Sequence, residues 1–413
     1  MRIMVYSHDA FGLGNIRRML AICEHLLEEI PQLSILLLSG SPMLQGFRLP
    51  RGLDYIKLPC LNRGSSGELA AKYLGMDVEK TVKMRSELIF SATVNFQPDL
   101  FLIDKKPLGI KNELTGAINY LHEQLPETKL VLLLREILDI PERTINEWQK
   151  NQYNQVICKF YQLLLIVGSQ KVFDFCEEYK LPDIVANKAR FCGYIRRFQR
   201  CEISTNIRQE LELAAVDKLV VVTPGGGQDG YQLINTYLQG QEILNNSQYR
   251  IKSLVFCGPE MPEEQKQELY QAAAKFPQVQ MREFTDDFIS YLSAADAVVS
   301  MGGYNTICEI LSAEKSAVIV PRIKPSQEQL IRSQRMQDLG LLISIHPDNL
   351  TSEVLIRQLF QILNNPLKSQ IIDLEGLSRI THHIRDLLVD KSTDIQAEIT
   401  YSEPNPIHEF LAS

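Results

Sequence analysis

The chain has 413 residues, of which 45% are hydrophobic and 23% are charged. This composition excludes an intrinsically disordered or low-complexity chain, and the length exceeds what one hydrophobic core usually supports. Because 43 Lys and Arg residues stand against 50 Asp and Glu residues, the net charge of −7 argues against a nucleic acid as partner.

The start of the chain carries one arginine before a short apolar run, Ile-Met-Val-Tyr, which is too short for a secretory signal. No stretch approaches the roughly 18 consecutive apolar residues of a membrane-spanning helix. We therefore expect a cytoplasmic protein.

Ten short apolar runs, separated by helix-length segments, predict the strands of parallel sheets that are buried on both faces. Five runs fall in each half of the chain. They cover residues 3–6, 34–38, 100–103, 130–134 and 163–167, and then residues 219–222, 253–257, 279–281, 297–300 and 317–320. The sequence therefore predicts an α/β protein with two Rossmann-like, doubly wound parallel-sheet domains that face a central cleft. We place the domains at residues 1–200 and 201–390, followed by a loosely ordered tail at 391–413.

A glycine-rich turn follows the first predicted strand and leads into a helix. It contains Gly12 and Gly14, but Arg17 occupies the position of the third glycine of a dinucleotide fingerprint. No acidic residue ends the second strand to bind a ribose. The turn therefore does not favour NAD, and it retains a backbone that can approach an anion at a helix N-terminus.

A second turn, with Gly225, Gly226 and Gly227, follows the strand at 219–222. Three consecutive glycines let backbone N–H groups face a phosphate, although no Lys-Ser/Thr pair follows as in a P-loop. A tight turn without a ligand is the alternative.

A third turn, with Gly302 and Gly303, follows the strand at 297–300 and precedes a helix that carries Glu309. In one interpretation Thr306 is the N-cap of this helix and Glu309 is its capping-box partner. In the other, the free N–H groups bind a diphosphate and Glu309 binds the ribose hydroxyls. The two interpretations remain open at this stage.

The loop at 321–329 ends in Gln327, Glu328 and Gln329, which together supply the hydrogen-bond donors and acceptors that sugar hydroxyls need. A solvated surface turn is the alternative. In the first half, Asp104 ends one apolar strand, and Arg135 and Glu136 follow another. The ends of parallel strands meet at one edge, so these side chains should border the cleft.

Together, the triple glycine, the stretch FTDDFISYLSAADAVVSMGGYNTICEIL and the stretch VPRIKPSQEQLIRSQRMQDLGL resemble the C-terminal donor domain of GT-B glycosyltransferases. The MurG-like group, with a donor domain of the glycosyltransferase family 28 C-terminal type, is the most similar. The resemblance is specific over residues 218–342 and weaker over residues 1–200. It implies an acceptor domain followed by a donor domain, a UDP-sugar bound in the cleft, inversion at the anomeric carbon, and no metal or other cofactor.

By position, the resemblance implies that all three parts of the nucleotide-sugar have ligands in the second half. The glycines of the second and third turns, with Asn305 and Thr306, would face the diphosphate. Phe284 and Thr285 would meet the nucleobase, Glu309 the ribose, and Glu328 with Gln329 the sugar.

The sequence departs from the family at two positions, since Asn15 and Met301 stand where related sequences often carry histidine. Asn15 cannot act as a base. We therefore predict His8 as the base that deprotonates the acceptor, oriented by Asp9, with Asp104 as the second choice. Alternatively, His8 is only hydrogen-bonded in the turn and Asp9 caps the helix.

The predicted function is therefore transfer of a hexose from a UDP-sugar to an acceptor hydroxyl. A UDP-sugar 2-epimerase and a non-catalytic nucleotide-sugar-binding protein are the alternatives. The acceptor side includes Gly12, Gly14, Asn15 and Arg17. These residues do not identify the acceptor, for which a lipid-linked molecule and a small glycoside are the candidates. Membrane contact would be at most peripheral, at the inner face.

Overall fold

The structure is a computed structural model that describes residues 1–8, 14–63, 69–197, 207–367 and 372–399. Within these ranges it contains a seven-stranded sheet, a six-stranded sheet and a two-stranded hairpin. The strands are β1 (Arg2–Ser7), β2 (Ser34–Ser39), β3 (Leu53–Lys57), β4 (Leu61–Arg63), β5 (Leu69–Ala71), β6 (Leu100–Asp104), β7 (Lys129–Arg135), β8 (Leu163–Val167), β9 (Ala189–Gly193), β10 (Asp217–Thr223), β11 (Arg250–Phe256), β12 (Val279–Arg282), β13 (Ala297–Ser300), β14 (Ala317–Ile319) and β15 (Ile343–Ser344).

Helices connect most of the strands and cover the sheets. They are α1 (Gly14–Glu29), α2 (Val78–Phe96), α3 (Thr115–Gln124), α4 (Pro141–Lys150), α5 (Tyr153–Phe160), α6 (Phe175–Glu178), α7 (Asp183–Ala186), α8 (Ile207–Glu210), α9 (Tyr231–Gln239), α10 (Gln241–Asn245), α11 (Glu263–Ala273), α12 (Phe288–Ala294), α13 (Tyr304–Ser312), α14 (Glu328–Asp338), α15 (Ser352–Asn364) and α16 (Gly376–Ile399). Short 3-10 turns occur at Leu44–Gly46, Ile110–Asn112 and Pro347–Asn349.

Both large sheets are entirely parallel and have the same winding. The first has the order β3-β2-β1-β6-β7-β8-β9, and the second has the order β12-β11-β10-β13-β14-β15. Each of the ten predicted apolar runs coincides with a strand of these sheets. The prediction of two Rossmann-like domains is therefore confirmed.

The strands are apolar because both faces of each sheet are covered. Every residue of β6 and of β8 is buried, as expected for a central strand of a doubly wound sheet. On α1, Ile16, Met19, Cys23 and Leu26 follow a spacing of three or four residues and are almost fully buried. This stripe packs in the same core as one face of the first sheet.

The last helix packs against the first domain. Thr381 Oγ1 lies 2.8 Å from His25 Nδ1 on α1, and the Gly376 N–H donates to the carbonyl of Tyr194, just after β9, at 3.0 Å. The predicted tail at 391–413 begins inside α16, which continues to Ile399, and residues 400–413 lie outside the described residues. The predicted boundary near residue 200 also lies outside them and stays a prediction.

Candidate functional site

The order of the strands creates one crevice in each sheet. The order in which successive strands are added reverses beside β1 in the first sheet and beside β10 in the second, and ligands of doubly wound sheets bind outside the strand ends at such points. His8 follows β1 and Asp104 ends β6 at the first crevice. The second and third glycine-rich turns follow β10 and β13 at the second crevice. The fold thus brings together the site residues of each half.

The second glycine-rich turn approaches other backbone too closely for side chains. Gly225 and Gly227 have φ angles of +82° and +100°, and a Cβ on Gly227 would lie 2.4 Å from the Cys257 carbonyl oxygen. A Cβ on Gly225 would lie 3.3 Å from Thr306 Oγ1 of α13. The turn therefore lies directly against the first turn of α13.

The third turn leaves the start of α13 without a side-chain cap among the described residues. Gly303 is the N-cap residue, and α13 begins at Tyr304. Thr306 is therefore inside the helix, so the interpretation of Thr306 and Glu309 as a capping box is wrong. An uncapped helix start presents N–H groups and a positive dipole end, which suit an anion.

Glu309 lies on α13 and faces the first domain. Its side chain is buried, and its Oε1 atom lies 3.6 Å from Nη2 of Arg17 on α1. Burial raises the pKa of Glu309, while Arg17 and Arg197 partly oppose that rise. Arg197 also donates a hydrogen bond of 3.3 Å to Asn305 Oδ1. Two arginines from outside the second sheet therefore surround the predicted ribose-binding residue.

Glu328 begins α14 and is held in ion pairs. Its Oε2 atom lies 2.7 Å from Arg135 Nη1 and 3.5 Å from Arg332 Nη2, and its Oε1 atom lies 4.0 Å from Arg322 Nη2. Burial opposes ionisation, but these arginines lower the pKa of Glu328 from its ordinary value of 4.5 to about 2. The carboxylate is therefore ionised and able only to accept hydrogen bonds at neutral pH.

Gln329 and the Phe284–Thr285 segment border the same crevice. The carbonyl of Gln329 lies 3.2 Å from where a Cβ of Gly302 would be, and its side-chain oxygen accepts from the Arg322 N–H at 3.1 Å. Phe284 is 49% exposed. The residue before it, Glu283, accepts a hydrogen bond from Gly258, which packs against Gly226. An exposed ring beside the triple glycine is free to meet a planar base.

On the first domain, His8 is buried in a cationic environment. Its backbone N–H donates to Asp104 Oδ2 at 3.3 Å, and no described residue is a hydrogen-bond partner of its Nδ1 atom. Burial lowers the pKa of His8 well below 6.5, and Lys105, Lys106, Arg85 and Arg135 add to the effect. The imidazole is therefore unprotonated at neutral pH, and burial together with the surrounding cations makes it a weaker base than an ordinary histidine.

Asp104 forms a buried ion pair with Arg18. Its Oδ1 atom accepts from Arg18 Nη2 at 2.7 Å, and both side chains are buried. Asn15, the residue in place of a family histidine, donates to the carbonyl of His8 at 2.7 Å. These bonds fix the start of α1 against the ends of β1 and β6. Asp9 and Gly12 lie outside the described residues, and Gly14 is the first residue of α1.

Sequence reasoning did not find the connections between the domains. Arg332 Nε lies 2.7 Å from Glu136 Oε1, and Arg135 pairs with Glu328 as described above. Lys105 was also missed. It has a left-handed φ of 73°, and burial together with Arg135 lowers its pKa to about 8. The sequence indicated only that Arg135 and Glu136 follow an apolar strand and should therefore border the cleft.

The described residues contain no group of three or more His, Cys, Asp or Glu side chains placed to hold a metal ion. Within the same ranges, none of the helices is both long enough and apolar enough to cross a bilayer.

Comparison with known proteins identifies the second half. Residues 219–378 match the model of the glycosyltransferase family 28 C-terminal domain. The UDP-N-acetylglucosamine–N-acetylmuramyl-(pentapeptide) pyrophosphoryl-undecaprenol N-acetylglucosamine transferase of Histophilus somni is 24% identical over 251 residues, which are 60% of this chain and 64% of the relative. The chain thus spans a little under two thirds of that relative's length.

Solved structures resemble nearly the whole chain. MurG of Acinetobacter baumannii superimposes with a TM-score of 0.59 at 14% identity, over 93% of this chain and 99% of that one. The UDP-GlcNAc 2-epimerase of Methanocaldococcus jannaschii gives a TM-score of 0.62 at 12% identity, over 94% and 100% of the two chains. At such identities this likeness establishes the fold alone.

Two Rossmann-like domains with glycine-rich crevices at their sheet edges define the class: the protein has the GT-B fold. Its second domain is of the glycosyltransferase family 28 C-terminal type. In its second half and in its fold the chain is similar to the MurG-like GT-B glycosyltransferases, which confirms the resemblance drawn from its motifs.

Proposed function

We propose that the protein is a metal-independent, inverting glycosyltransferase that moves a hexose from a UDP-sugar to an acceptor hydroxyl. The observation that carries this proposal is the contact between the triple-glycine turn and the uncapped start of α13, where Gly225 lies against Thr306. Such a cradle of backbone N–H groups suits a diphosphate.

The same cradle would assist the reaction by stabilising the leaving group. As the bond from the anomeric carbon to the diphosphate breaks, negative charge grows on the departing UDP. Fixed N–H dipoles aimed at that charge lower the barrier without needing to reorganise. Arg17, which reaches Glu309 from α1, would add positive charge to the same region when the domains are in contact.

Recognition of the ribose and of the sugar would depend on two carboxylates. Glu309 would accept hydrogen bonds from the ribose hydroxyls, and Glu328 with Gln329 would bind the sugar. Phe284 and Thr285 would meet the base. UDP as the nucleotide is supported by the Histophilus somni relative, whose name specifies a UDP-N-acetylglucosamine donor.

His8 is the proposed general base. It would take the proton of the acceptor hydroxyl while the acceptor oxygen bonds to the anomeric carbon on the face opposite the departing UDP. Its imidazole is unprotonated at neutral pH, as a general base must be before the reaction. Asp104 suits this role less, since one of its oxygens accepts from Arg18 and the other from the His8 N–H. Asp9 would orient His8.

The acceptor would bind at the strand ends of the first domain, beside His8, Asn15 and α1. Lys105, Lys106 and Arg135 contribute positive charge around His8, which favours an acceptor with an anionic group near its reacting hydroxyl. We propose a lipid-linked acceptor, as in the pyrophosphoryl-undecaprenol named for the relative, with a small glycoside as the other possibility to test.

A lipid-linked acceptor would require peripheral contact with a membrane. On α2, Lys80, Met84 and Leu88 are spaced by four residues and therefore lie on one face of the helix. Leu88 is 40% exposed, and Tyr73 before the helix is 65% exposed. The exposed apolar side chains suit contact with a headgroup region, whereas Lys80 is paired with Asp77 at 3.3 Å. Sedimentation with anionic lipid vesicles tests this contact.

A UDP-sugar 2-epimerase is the second candidate, because the Methanocaldococcus jannaschii epimerase shares the fold. The two activities differ in their need for an acceptor. The protein should be incubated with UDP-glucose, UDP-galactose and UDP-N-acetylglucosamine while free UDP and sugar epimers are followed. UDP release that depends on an added acceptor supports transfer. Epimer formation without an acceptor supports the second candidate, and binding without either product supports a sensor.

A further inference from the structure

Two arginines bind the same oxygen of Glu328, and they come from different domains. Arg135 ends β7 of the first sheet, and its Nη1 atom lies 2.7 Å from Glu328 Oε2. Arg332 lies one turn along α14, and its Nη2 atom lies 3.5 Å from the same oxygen. The contact from the first domain is the shorter, so the complete arrangement exists only when the domains touch.

Arg332 is itself held rigidly. Its Nε atom lies 2.7 Å from Glu136 Oε1, its Nη1 atom donates to the Gly302 carbonyl at 3.1 Å, and its guanidinium lies 5.5 Å from the centre of the Tyr304 ring. Both side chains of the Glu136–Arg332 pair are fully buried. The network therefore ties Glu328 to the glycine-rich turn before α13 on one side and to the end of β7 on the other.

The second oxygen of Glu328 has a different environment. Its Oε1 atom lies 4.0 Å from Arg322 Nη2, which is beyond hydrogen-bond distance. Glu328 is followed by Gln329, whose backbone contacts Gly302 beside the proposed diphosphate cradle. Oε1 is thus the oxygen of this carboxylate that can accept from a hydroxyl next to the diphosphate.

We infer that Arg135 is a positioning residue for the donor sugar: by holding Glu328 Oε2 from across the cleft, it orients Oε1 to accept a hydrogen bond from a sugar hydroxyl. The inference rests on the proposed binding of nucleotide-sugars. It goes further, because it assigns recognition of the nucleotide and recognition of the sugar to different residues. The nucleotide binds to the second domain, whereas recognition of the sugar also requires a residue of the first.

This separation predicts different behaviour for UDP and for a UDP-sugar. UDP has no sugar to contact Glu328, so its affinity should not depend on Arg135. A UDP-sugar gains its additional affinity over UDP through Glu328, and that gain should depend on Arg135. A general loss of structure or of domain contact would instead weaken both ligands together.

The experiment is calorimetry on the full chain with UDP and with whichever of UDP-glucose, UDP-galactose and UDP-N-acetylglucosamine binds most tightly. Arg135→Met should weaken UDP-sugar binding about 10-fold or more, while the Kd for UDP stays within about twofold. Arg135→Lys should recover part of the loss, because it restores the charge without the planar fork of arginine. UDP binding by each variant shows that it is folded.

Arg335→Met is the matched control, because Arg335 is also on α14 and also pairs across the domains, with Glu178 at 2.6 Å, but on an exposed surface. It should leave both affinities unchanged. Equal loss of UDP and UDP-sugar affinity in Arg135→Met, or no loss of either, would overturn the inference while leaving the proposed function standing. A wild-type protein that binds neither UDP nor any UDP-sugar would remove the proposed function itself.

Discussion

Glu136 and Arg332 form an ion pair between the two domains, with Glu136 Oε1 2.7 Å from Arg332 Nε and both side chains fully buried. Tyr194 donates to the same glutamate oxygen at 3.0 Å. An ion pair without access to water depends on both partners, because removing one leaves a buried charge that nothing compensates. Replacing either residue of this pair should therefore destabilise the contact between the domains.

Replacing Arg332 should destabilise the protein strongly. Arg332→Met is expected to lower the free energy of unfolding by about 3–5 kcal/mol, measured by urea denaturation, because Glu136 and Glu328 would lose a buried cation. Arg335→Met, which removes the exposed pair with Glu178, should cost at most about 1 kcal/mol. If the two variants unfold alike, the Glu136–Arg332 pair does not stabilise the folded chain.

Glu309→Ala should weaken nucleotide binding without unfolding the protein. A hydrogen bond to a charged group contributes about 1.5–3 kcal/mol, so the Kd for UDP should rise roughly 10- to 100-fold. Calorimetry measures the affinity, and circular dichroism checks the fold. Glu314→Ala is the control, since Glu314 follows α13 and is exposed. Unchanged UDP affinity in Glu309→Ala would count against the proposed ribose contact.

His8→Ala should reduce turnover far more than donor affinity, by about 10²- to 10⁴-fold in kcat. His122→Ala, at an exposed position on α3, should have no such effect. Because burial lowers the pKa of His8, the imidazole should remain unprotonated where an ordinary histidine gains a proton. The wild-type rate should therefore not fall between about pH 7.5 and pH 6 through this group. A kcat of His8→Ala equal to that of the wild type would remove His8 from the mechanism.

Gly227→Ala should be more damaging than Gly226→Ala. A Cβ at Gly227 would overlap the Cys257 carbonyl, and its φ of +100° is unfavourable for alanine. At Gly226 the nearest atom is Oε2 of Glu260 at 3.2 Å, the end of a flexible side chain that can move. We expect a loss of more than about 1 kcal/mol in unfolding free energy for the first variant and less for the second. Thermal melting of both variants compares them directly, and equal melting temperatures would contradict this account of the turn.

The sequence predicts the central strands well and the edge strands poorly. All ten apolar runs are strands: nine are central strands, which are buried on both faces of a parallel sheet, and the tenth is the edge strand β12. The other three edge strands were not predicted; they are β3, β9 and β15. Of the five residues in β3, only Leu53 is buried, and β15 has only two residues, so neither forms a continuous apolar run. Their pairing depends on a neighbouring strand already in place.

The sequence also predicts some parts of the candidate site and not others. Glycine-rich turns are local features, and the sequence locates those at Gly225 and Gly302 correctly at strand ends. The ion pairs between domains join residues far apart in the chain, such as Glu136 and Arg332, which are separated by 196 positions. No local pattern encodes such pairs. The capping box failed for another reason: the N-cap residue of α13 is Gly303, three residues before the Thr306 that the motif assigns, and only backbone geometry reveals this.

Glu328→Gln should reveal the ion pairs of Glu328 through the effect of pH on stability. Arg135 and Arg332 hold the pKa of Glu328 at about 2, below its ordinary value of 4.5. A carboxylate with a lowered pKa in the folded state stabilises the protein above its ordinary pKa, and this contribution disappears as the pH falls toward the folded value. The wild type should therefore be more stable than Glu328→Gln at pH 6, and the difference should shrink between about pH 4.5 and pH 2. Glu178→Gln, at the exposed ion pair with Arg335, should differ little from the wild type throughout this range. Urea denaturation of the three proteins at several pH values measures the effect, and a wild-type advantage that is absent at pH 6, or that grows on acidification, would show that these arginines do not hold Glu328 ionised.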